Sequence, residues 1–475
     1  MRIERALLLM ALAGACSGNE RTETPAAGGG SGGRQGGSAG GVDVGSGGSA
    51  LGGAAAGGAV VGAEGGALVN AAGAGGATDA GASGAGQGGL GPIVDPSDEL
   101  FAPERLPRFD LELPPESLAA LNAVVNGLDP KAEDYVSGTL RYGDETIANI
   151  GVRFKGEASF RKLDKKSAFK LKFDEFVAKQ SFHGLRRLTL NNMVEDPSFL
   201  AERLAYEVFR AAGLPAPRCN NATVYVNGEF FGVYANVEAE DKTFLSRWFA
   251  SNDGNLYEEG GVDFTPGAET SFDLETNEAL DDRSGLVALI DAVQAAQPSD
   301  LVQTLDAKLD VARFLRFSAA EAAVNQWDMY AYTVFYPNNF RIYEDPDTAR
   351  FVFLPWGMDM SMKPFRDTGR AHIPVFGVAQ LDNRANGKVT AGLLFRKCLD
   401  SAECKAAYAA QVSELAQIYE QSRLGERAAS YYEQIKEQVY LDTRKEYTNE
   451  RFEAAYSVLQ KTITERPAAL RADLD

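Results

Sequence analysis

Histidine is nearly absent from this 475-residue chain, which holds only His183 and His372. A three-histidine metal centre is thereby excluded. Neither histidine accompanies a recognisable nucleophile motif, so a serine triad has no foundation. Cysteine is scarce, and four residues cannot build a disulfide scaffold of this size. Basic charge is in deficit, with 47 Lys and Arg against 66 Asp and Glu and a net charge of −19. Proteins that track nucleic-acid phosphates carry a basic face, so nucleic acid is not an expected partner. The apolar run Ala6 to Ala15 is ten residues long. That is too short to span about 30 Å of hydrocarbon as a helix.

Glycine is uneven: 30 of the 50 lie in the first 91 positions, leaving 20 for the other 384. Residues 17–92 are mainly Gly, Ala and Ser, and cannot bury enough apolar surface to offset the entropy of ordering. This segment reads as a disordered tether with a typical reach of about 50 Å. Ahead of it, residues 1–16 read as a processing segment, with Arg2 and Arg5 before the apolar run. Its end, Ala13-Gly14-Ala15-Cys16, resembles the lipobox of bacterial lipoproteins, with Ala13 where that pattern prefers Leu. The resemblance implies cleavage before Cys16, lipidation of its sulfur, and an exported protein held to the membrane through that anchor alone. Ser17, in place of a retention Asp, implies the outer membrane. An ordinary cleaved signal peptide, with Cys16 incidental, would export the chain as well.

The body, 93–475, is long enough for one large core or two smaller ones. Its first part alternates in the manner of strands: Phe109 to Leu113, a hairpin over Gly138 to Phe154, and Ala168 to Phe173 with Lys170 and Lys172 on the polar face. Asp196 and Pro197 open a helix whose Leu200, Leu204 and Val208 recur every fourth residue, and Gly213 and Pro215 close it. Asn227-Gly228 turns a second hairpin. Helices are expected over 281–295, 300–307, 310–326 and most of 402–470. A further hairpin, Phe340 to Glu344 against Phe351 to Pro355, interrupts them. Strands, then one helix, more strands and finally helices make an α+β pattern. Cys398 and Cys404, six apart, suit a small disulfide loop in an oxidising compartment. A zinc site there would lack a second ligand pair, and Cys219 is left as a buried thiol.

The stretch with chemical content runs from Asn325 to Lys363. Asp328 follows a helix, Asn339 precedes the hairpin's first strand, and Asp359 follows its second strand within four residues. A hairpin returns the chain to its start, with strands about 4.8 Å apart. Asn339 and Asp359 are therefore expected together at its open end, within reach of a shared hard cation such as Mg²⁺. Protein kinases use the same logic, with an Asp and a metal-binding Asn, a hairpin, and a second metal-binding Asp. Asp253, Asp263 and Asp273 lack the dense acidic alternation of a calcium loop. Trp327 and Trp356 read as core residues, and His183 as a turn residue.

Motifs along 110–425 resemble those of the spore coat protein H (CotH) kinase family. They include Lys155-Gly156-Glu157-Ala158-Ser159, Lys165-Lys166-Ser167 running on to Phe173, and Leu188-Thr189-Leu190-Asn191-Asn192. Arg203 to Tyr206, Val224 to Gly228, Gly232-Val233-Tyr234, Gly254 to Tyr257, Trp327-Asp328, Asn338-Asn339 and Pro355-Trp356 follow in order. The resemblance implies an atypical protein-kinase-like two-lobe fold, with a strand-rich N-lobe over about 100–240 and a helical C-lobe over about 241–475. It also implies ATP and Mg²⁺ (or Mn²⁺) as cofactors and a protein substrate with Ser or Thr hydroxyls. On this reading Asp328 is catalytic and orients the substrate hydroxyl, while Asn339 and Asp359 hold metal. Lys170 or Lys172 reaches the ATP phosphates, Glu202 or Glu207 pairs with that lysine, and Glu238 lies near the adenine-side connection. The family often writes Pro-Trp-Asp-x-Asp, whereas here Gly357 replaces the first Asp. The expected function is therefore Mg²⁺-dependent transfer of phosphate from ATP to envelope or coat proteins. Two alternatives stand beside it: a surface adhesin or binding module on the same fold, and a glycan hydrolase with Asp328 and Asp359 as its carboxylate pair.

Overall fold

The computed structural model describes residues 95–333, 336–364, 371–376 and 391–475. The leader with Cys16 and the 17–92 tether lie outside the described residues. The chain opens with β1 (Arg108–Glu112), α1 (Pro115–Ala123), β2 (Val136–Tyr142), β3 (Glu145–Lys155), β4 (Ala168–Lys172) and β5 (Arg187–Asn191). It continues through α2 (Ala201–Ala211), β6 (Cys219–Val226) and β7 (Glu229–Glu238). Among the described residues these seven strands close a barrel in the order β1-β2-β3-β4-β5-β7-β6, with β1 and β6 parallel.

Period-two patterning decides which side chains fill the barrel. Phe154 pairs with Phe169 and Val152 with Leu171 across β3 and β4, and all four are buried in its interior. Arg153, Lys170 and Thr189, the alternate residues of β3, β4 and β5, lie side by side on the outer face. Asn227 and Gly228 both have positive φ, 49° and 82°, as a tight hairpin turn requires.

After the barrel come α3 (Lys242–Trp248), β8 (Leu256–Glu258), β9 (Asp273–Leu274), α4 (Ser284–Ala295), α5 (Leu301–Leu305) and α6 (Val311–Ala323). The chain ends with β10 (Phe340–Asp345), β11 (Arg350–Pro355), α7 (Leu393–Asp400), α8 (Ala402–Gln421), α9 (Leu424–Leu441) and α10 (Asn449–Ala472). A second sheet has the order β11-β10-β8-β9. The α+β expectation therefore holds, with mixed sheet and helix. β8 and β9 are too short to leave an alternation in the sequence. Among the described residues, no helix is long and apolar enough to cross a membrane.

Helix boundaries differ from the sequence reading by a few residues, and for α2 and α6 the backbone gives the reason. Asp196 does not cap α2 directly, because Phe199 takes a positive φ of 61° and delays the helix to Ala201. The Asp196 carboxylate still accepts from the Ala201 amide at 2.8 Å, so it secures the helix from outside. Likewise α6 stops at Ala323 instead of 326, since Asn325 has φ of 56°. The disulfide between Cys398 and Cys404 joins α7 to α8, and Cys219 is a buried free thiol.

The barrel interior is one core. A larger core unites α2 with the outward Val233, Ala235 and Val237 of β7 and with α6 and the C-terminal helices. The remaining outer face of β3, β4 and β5 is polar. It meets the hairpin β10–β11 across a cleft, where one pocket is lined by Arg153, Lys170, Thr189, Glu240, Arg341 and Trp356.

Candidate active site

The cleft is furnished by residues at strand ends, where the chain leaves a sheet and a polar side chain can face inward without breaking a ladder. Asn191 ends β5 and Lys155 ends β3, while Glu202 lies in the first turn of α2. Asp359 sits in the short 3₁₀ turn Met358–Met360 just beyond β11. The buried Asn191 amide donates to Glu202 Oε2 at 2.7 Å and to Asp359 Oδ2 at 3.3 Å. One side chain thus joins the barrel, α2 and the segment after the hairpin. Glu202 is buried, and desolvation, then the nearby Asp359 charge, push its carboxyl up to about 8, against the pull of Lys155. The Lys363 ammonium donates to the Glu195 carbonyl at 2.6 Å and the Asp359 carbonyl at 3.3 Å, which fixes the backbone of this corner.

The proton on Glu202 gives a testable consequence. A carboxyl raised in the folded state keeps its proton while the unfolded chain loses it, so its contribution to stability is complete below the usual carboxylate value and falls as pH rises to about 8. Glu202→Gln should therefore flatten the loss of stability between pH 5 and pH 8. Urea denaturation at both pH values measures this, and an unchanged difference between them would contradict the assignment.

The other half of the site is the chain entering and leaving the hairpin. Asn339, with φ of 52°, donates its amide to the Asp328 carbonyl at 2.7 Å and to Asp328 Oδ2 at 3.1 Å. Asn338 adds a donor to Asp328 Oδ2 at 3.4 Å. Gly357 has φ of 59°, and a Cβ there would stand 2.3 Å from Asn339 Oδ1. Any side chain at position 357 would collide with the Asn339 amide in this arrangement. Gln326 donates to the Gly357 carbonyl at 3.0 Å and holds the turn from below.

The expected site residues divide accordingly. Asp328 and Asn339 are brought together by direct hydrogen bonds. Asp359 lies beyond the Gly357 turn and faces Asn191 instead, because the left-handed glycine redirects the chain after β11. Glu202, not Glu207, faces the cleft: Glu207 accepts from Tyr431 at 2.7 Å and pairs with Arg427. The lysine whose charge acts on Glu202 is Lys155, which also lies 5.9 Å from the Trp356 ring. Lys172 pairs with Glu175 at 2.6 Å, away from this corner. Lys170 lines the adjoining pocket, where burial pulls its ammonium down to about 8 against the attraction of Glu258.

Glu238 is buried at the end of β7 and held by Arg218 at 3.0 Å and by Arg247, so its carboxylate is committed to those two cations. Next to it, Ala239 and Glu240 connect the barrel to α3 and line the pocket. Arg341, stacked 4.4 Å from the Trp356 ring, bonds Glu240 at 2.9 Å and Glu258 at 2.7 Å. Asp263 is structural, since it accepts from the Tyr330 hydroxyl and the Leu393 amide.

Sequence reasoning did not assign roles to Lys155, Asn191 or Gln326. A signal existed for Asn191, a polar residue ending the apolar Leu188-Thr189-Leu190 run, but nothing local told it apart from a turn residue. For metal, the donors are oxygens, as a hard divalent cation prefers. Asn191 Oδ1 is buried without a hydrogen-bond partner beside Asp359. Among the described residues no group of three acidic, His or Cys side chains forms a self-sufficient metal cage. Mg²⁺ takes one or two carboxylates and completes its shell with water and substrate phosphates.

The family model described as CotH kinase protein matches residues 152–470. The chain belongs to the CotH kinase protein family. It is 23% identical over 381 residues to the inner spore coat protein H of Bacillus subtilis (strain 168), covering 78% of this chain and 98% of that protein. Among solved structures it matches the Shewanella oneidensis MR-1 HipA–HipB–operator DNA complex at 10% identity and a TM-score of 0.28. That match covers 63% of this chain and 57% of the other. The Helicobacter pylori proinflammatory kinase CtkA matches at 9% identity and a TM-score of 0.23, covering 68% and 94%.

Proposed function

We propose that this chain is an atypical protein kinase that transfers phosphate from ATP to Ser or Thr hydroxyls of envelope or coat proteins. The barrel serves as its N-lobe and the helical remainder as its C-lobe. The observation that carries the reading is the corner in which Asn191 joins Glu202 to Asp359 under the charge of Lys155. A phosphate-binding lysine, its helix-borne carboxylate and a metal-binding aspartate are the parts that phosphoryl transfer requires together. Asp359, with Asn191 Oδ1 beside it, would hold Mg²⁺, whose charge would neutralise the phosphates and the group in transfer, while Asn339 orients Asp328. Lys155 binds the phosphates, and the neighbouring Glu202 carboxyl would accept a hydrogen bond from its ammonium. The Arg341–Trp356 stack and the Ala239–Glu240 connection border the space for the base. Asp328, oriented by Asn338 and Asn339, accepts the proton of the attacking hydroxyl.

The anchor at Cys16 and the tether would hold this body at the outer membrane, where the ATP source is external to the chain. An adhesin reading is favoured by one feature, Gly357, where Asn339 fills the space of a family carboxylate. ATP affinity separates the two. Lys155→Ala is expected to weaken ATP binding at least about tenfold, whereas Lys172→Ala leaves it unchanged. Equal behaviour of the two variants, or no binding by the unaltered chain, would remove the kinase reading.

A further inference from the structure

Below the Asp328 loop lies a carboxylate that the reaction itself does not use. Glu321, in the last turns of α6, is completely buried. Its Oε1 accepts from the Tyr332 amide at 2.7 Å and its Oε2 from the Ala331 amide at 3.0 Å. Between α6 and these amides the chain passes through Asn325, Gln326, Trp327 and Asp328. The Met329 amide then donates to the Tyr332 carbonyl at 3.1 Å, so 329–332 is folded back as a tight turn. Glu321 thus spans the base of that turn, with one oxygen for each amide.

Burial raises the Glu321 carboxyl well above its usual range, the two amides lower it, and the Asp328 charge raises it further. A buried carboxyl beside a like charge is costly, and an apolar residue would pack more simply. What the carboxyl supplies is two directional acceptors where a loop backbone would otherwise bury two unpaired N–H groups. The neighbouring ties point the same way. Arg466 donates to the Ala322 carbonyl at 2.6 Å, and the Asn325 side-chain Oδ1 accepts from the Ile373 amide at 2.8 Å. The end of α6 is therefore held from α10 while Glu321 reaches forward to the loop.

We infer that Glu321 is a positioning residue for phosphoryl transfer. By clamping the Ala331 and Tyr332 amides, it fixes the backbone that carries Asp328 and so aims the Asp328 carboxylate at the acceptor hydroxyl. The inference rests on the kinase reading above. Misplacement of a reacting group by about 1 Å costs about 10²-fold in rate. The effect should fall on kcat, because Glu321 touches neither the Lys155–Glu202 corner nor the pocket beside Arg341.

The test uses Glu321→Gln and Glu321→Ala in the full chain. Gln keeps one carbonyl acceptor, whereas Ala removes both. Expected are a fall in kcat of about 10²-fold for Ala and a smaller fall for Gln, an unchanged ATP dissociation constant by calorimetry, and faster hydrogen exchange at Ala331 and Tyr332. Should Ala fail to fold, the same three readouts on Gln decide the matter. Unchanged kcat in a folded variant whose two amides exchange faster would overturn the inference. So would equal losses in kcat and ATP affinity, which mark general damage. An unaltered chain that binds ATP yet transfers no phosphate would be a failure of the kinase reading itself.

Discussion

Asp442→Ala is expected to lower the unfolding free energy by about 3–5 kcal/mol, the range for removing one partner of a buried ion pair. Asp442 follows α9 and reaches the barrel, where it pairs with Lys166 while both side chains are almost wholly shielded from water. Its two oxygens are also spoken for by backbone: Oδ2 accepts from Val233 at 3.3 Å, and Oδ1 from Arg444 and Lys445 at 3.0 Å each. Gly232 makes the approach possible, because a Cβ there would lie 2.0 Å from Asp442 Oδ2. Lys166 in turn packs 4.7 Å from the Phe199 ring and 5.2 Å from Tyr234. Removing the carboxylate strands a buried ammonium and three amides at once. Chemical denaturation measures the loss. A change below about 1 kcal/mol, typical of an exposed pair, would show that this contact is not the fastening described here.

Asp328→Asn is expected to lower kcat by about 10²–10⁴-fold, the usual contribution of a positioned general base. An amide keeps the size of the side chain and one acceptor for Asn338 and Asn339, so the loop should hold its shape. It cannot take a proton at neutral pH. On the proposed reading ATP is bound at the Lys155–Glu202 corner, so its affinity should stay as it was, which makes the signature a kcat effect alone. A parallel loss of ATP binding would mean that Asp328 belongs to the nucleotide site instead. Full activity would return the proton to another group.

Much of the architecture could be read before the structure because period and turn chemistry act locally. Phe169 and Leu171 alternate with Lys170 and Lys172, and Asn227-Gly228 admits one kind of turn; both are as expected. The hairpin at 340–355 brought Asn339 back toward the chain leaving β11 for the same reason. Tertiary choices were hidden. Phe199 bends out of the helical region and shortens α2, although the Asp196-Pro197 signal is a good one. Lys155, Lys170 and Lys172 all sit on the barrel's outer face, and sequence cannot say which one α2 will approach. The answer depends on how α2 crosses the sheet, with Leu204, Ala205 and Val208 packed into the core shared with β7. Gly357 stands where the family often has Asp, and its lack of a side chain leaves the space that the Asn339 amide occupies, which the sequence could not show. Glu321 left no trace in the sequence, since a glutamate in a helix ordinarily faces water.

The most direct test of the kinase reading is calorimetry of the chain with ATP, with and without Mg²⁺ or Mn²⁺, beside Asp359→Ala. The account predicts binding that depends on the cation and disappears in the variant, because Asp359 supplies the carboxylate at the corner formed with Asn191 and Glu202. Absence of binding in a folded sample, or binding indifferent to both cation and Asp359, would contradict it.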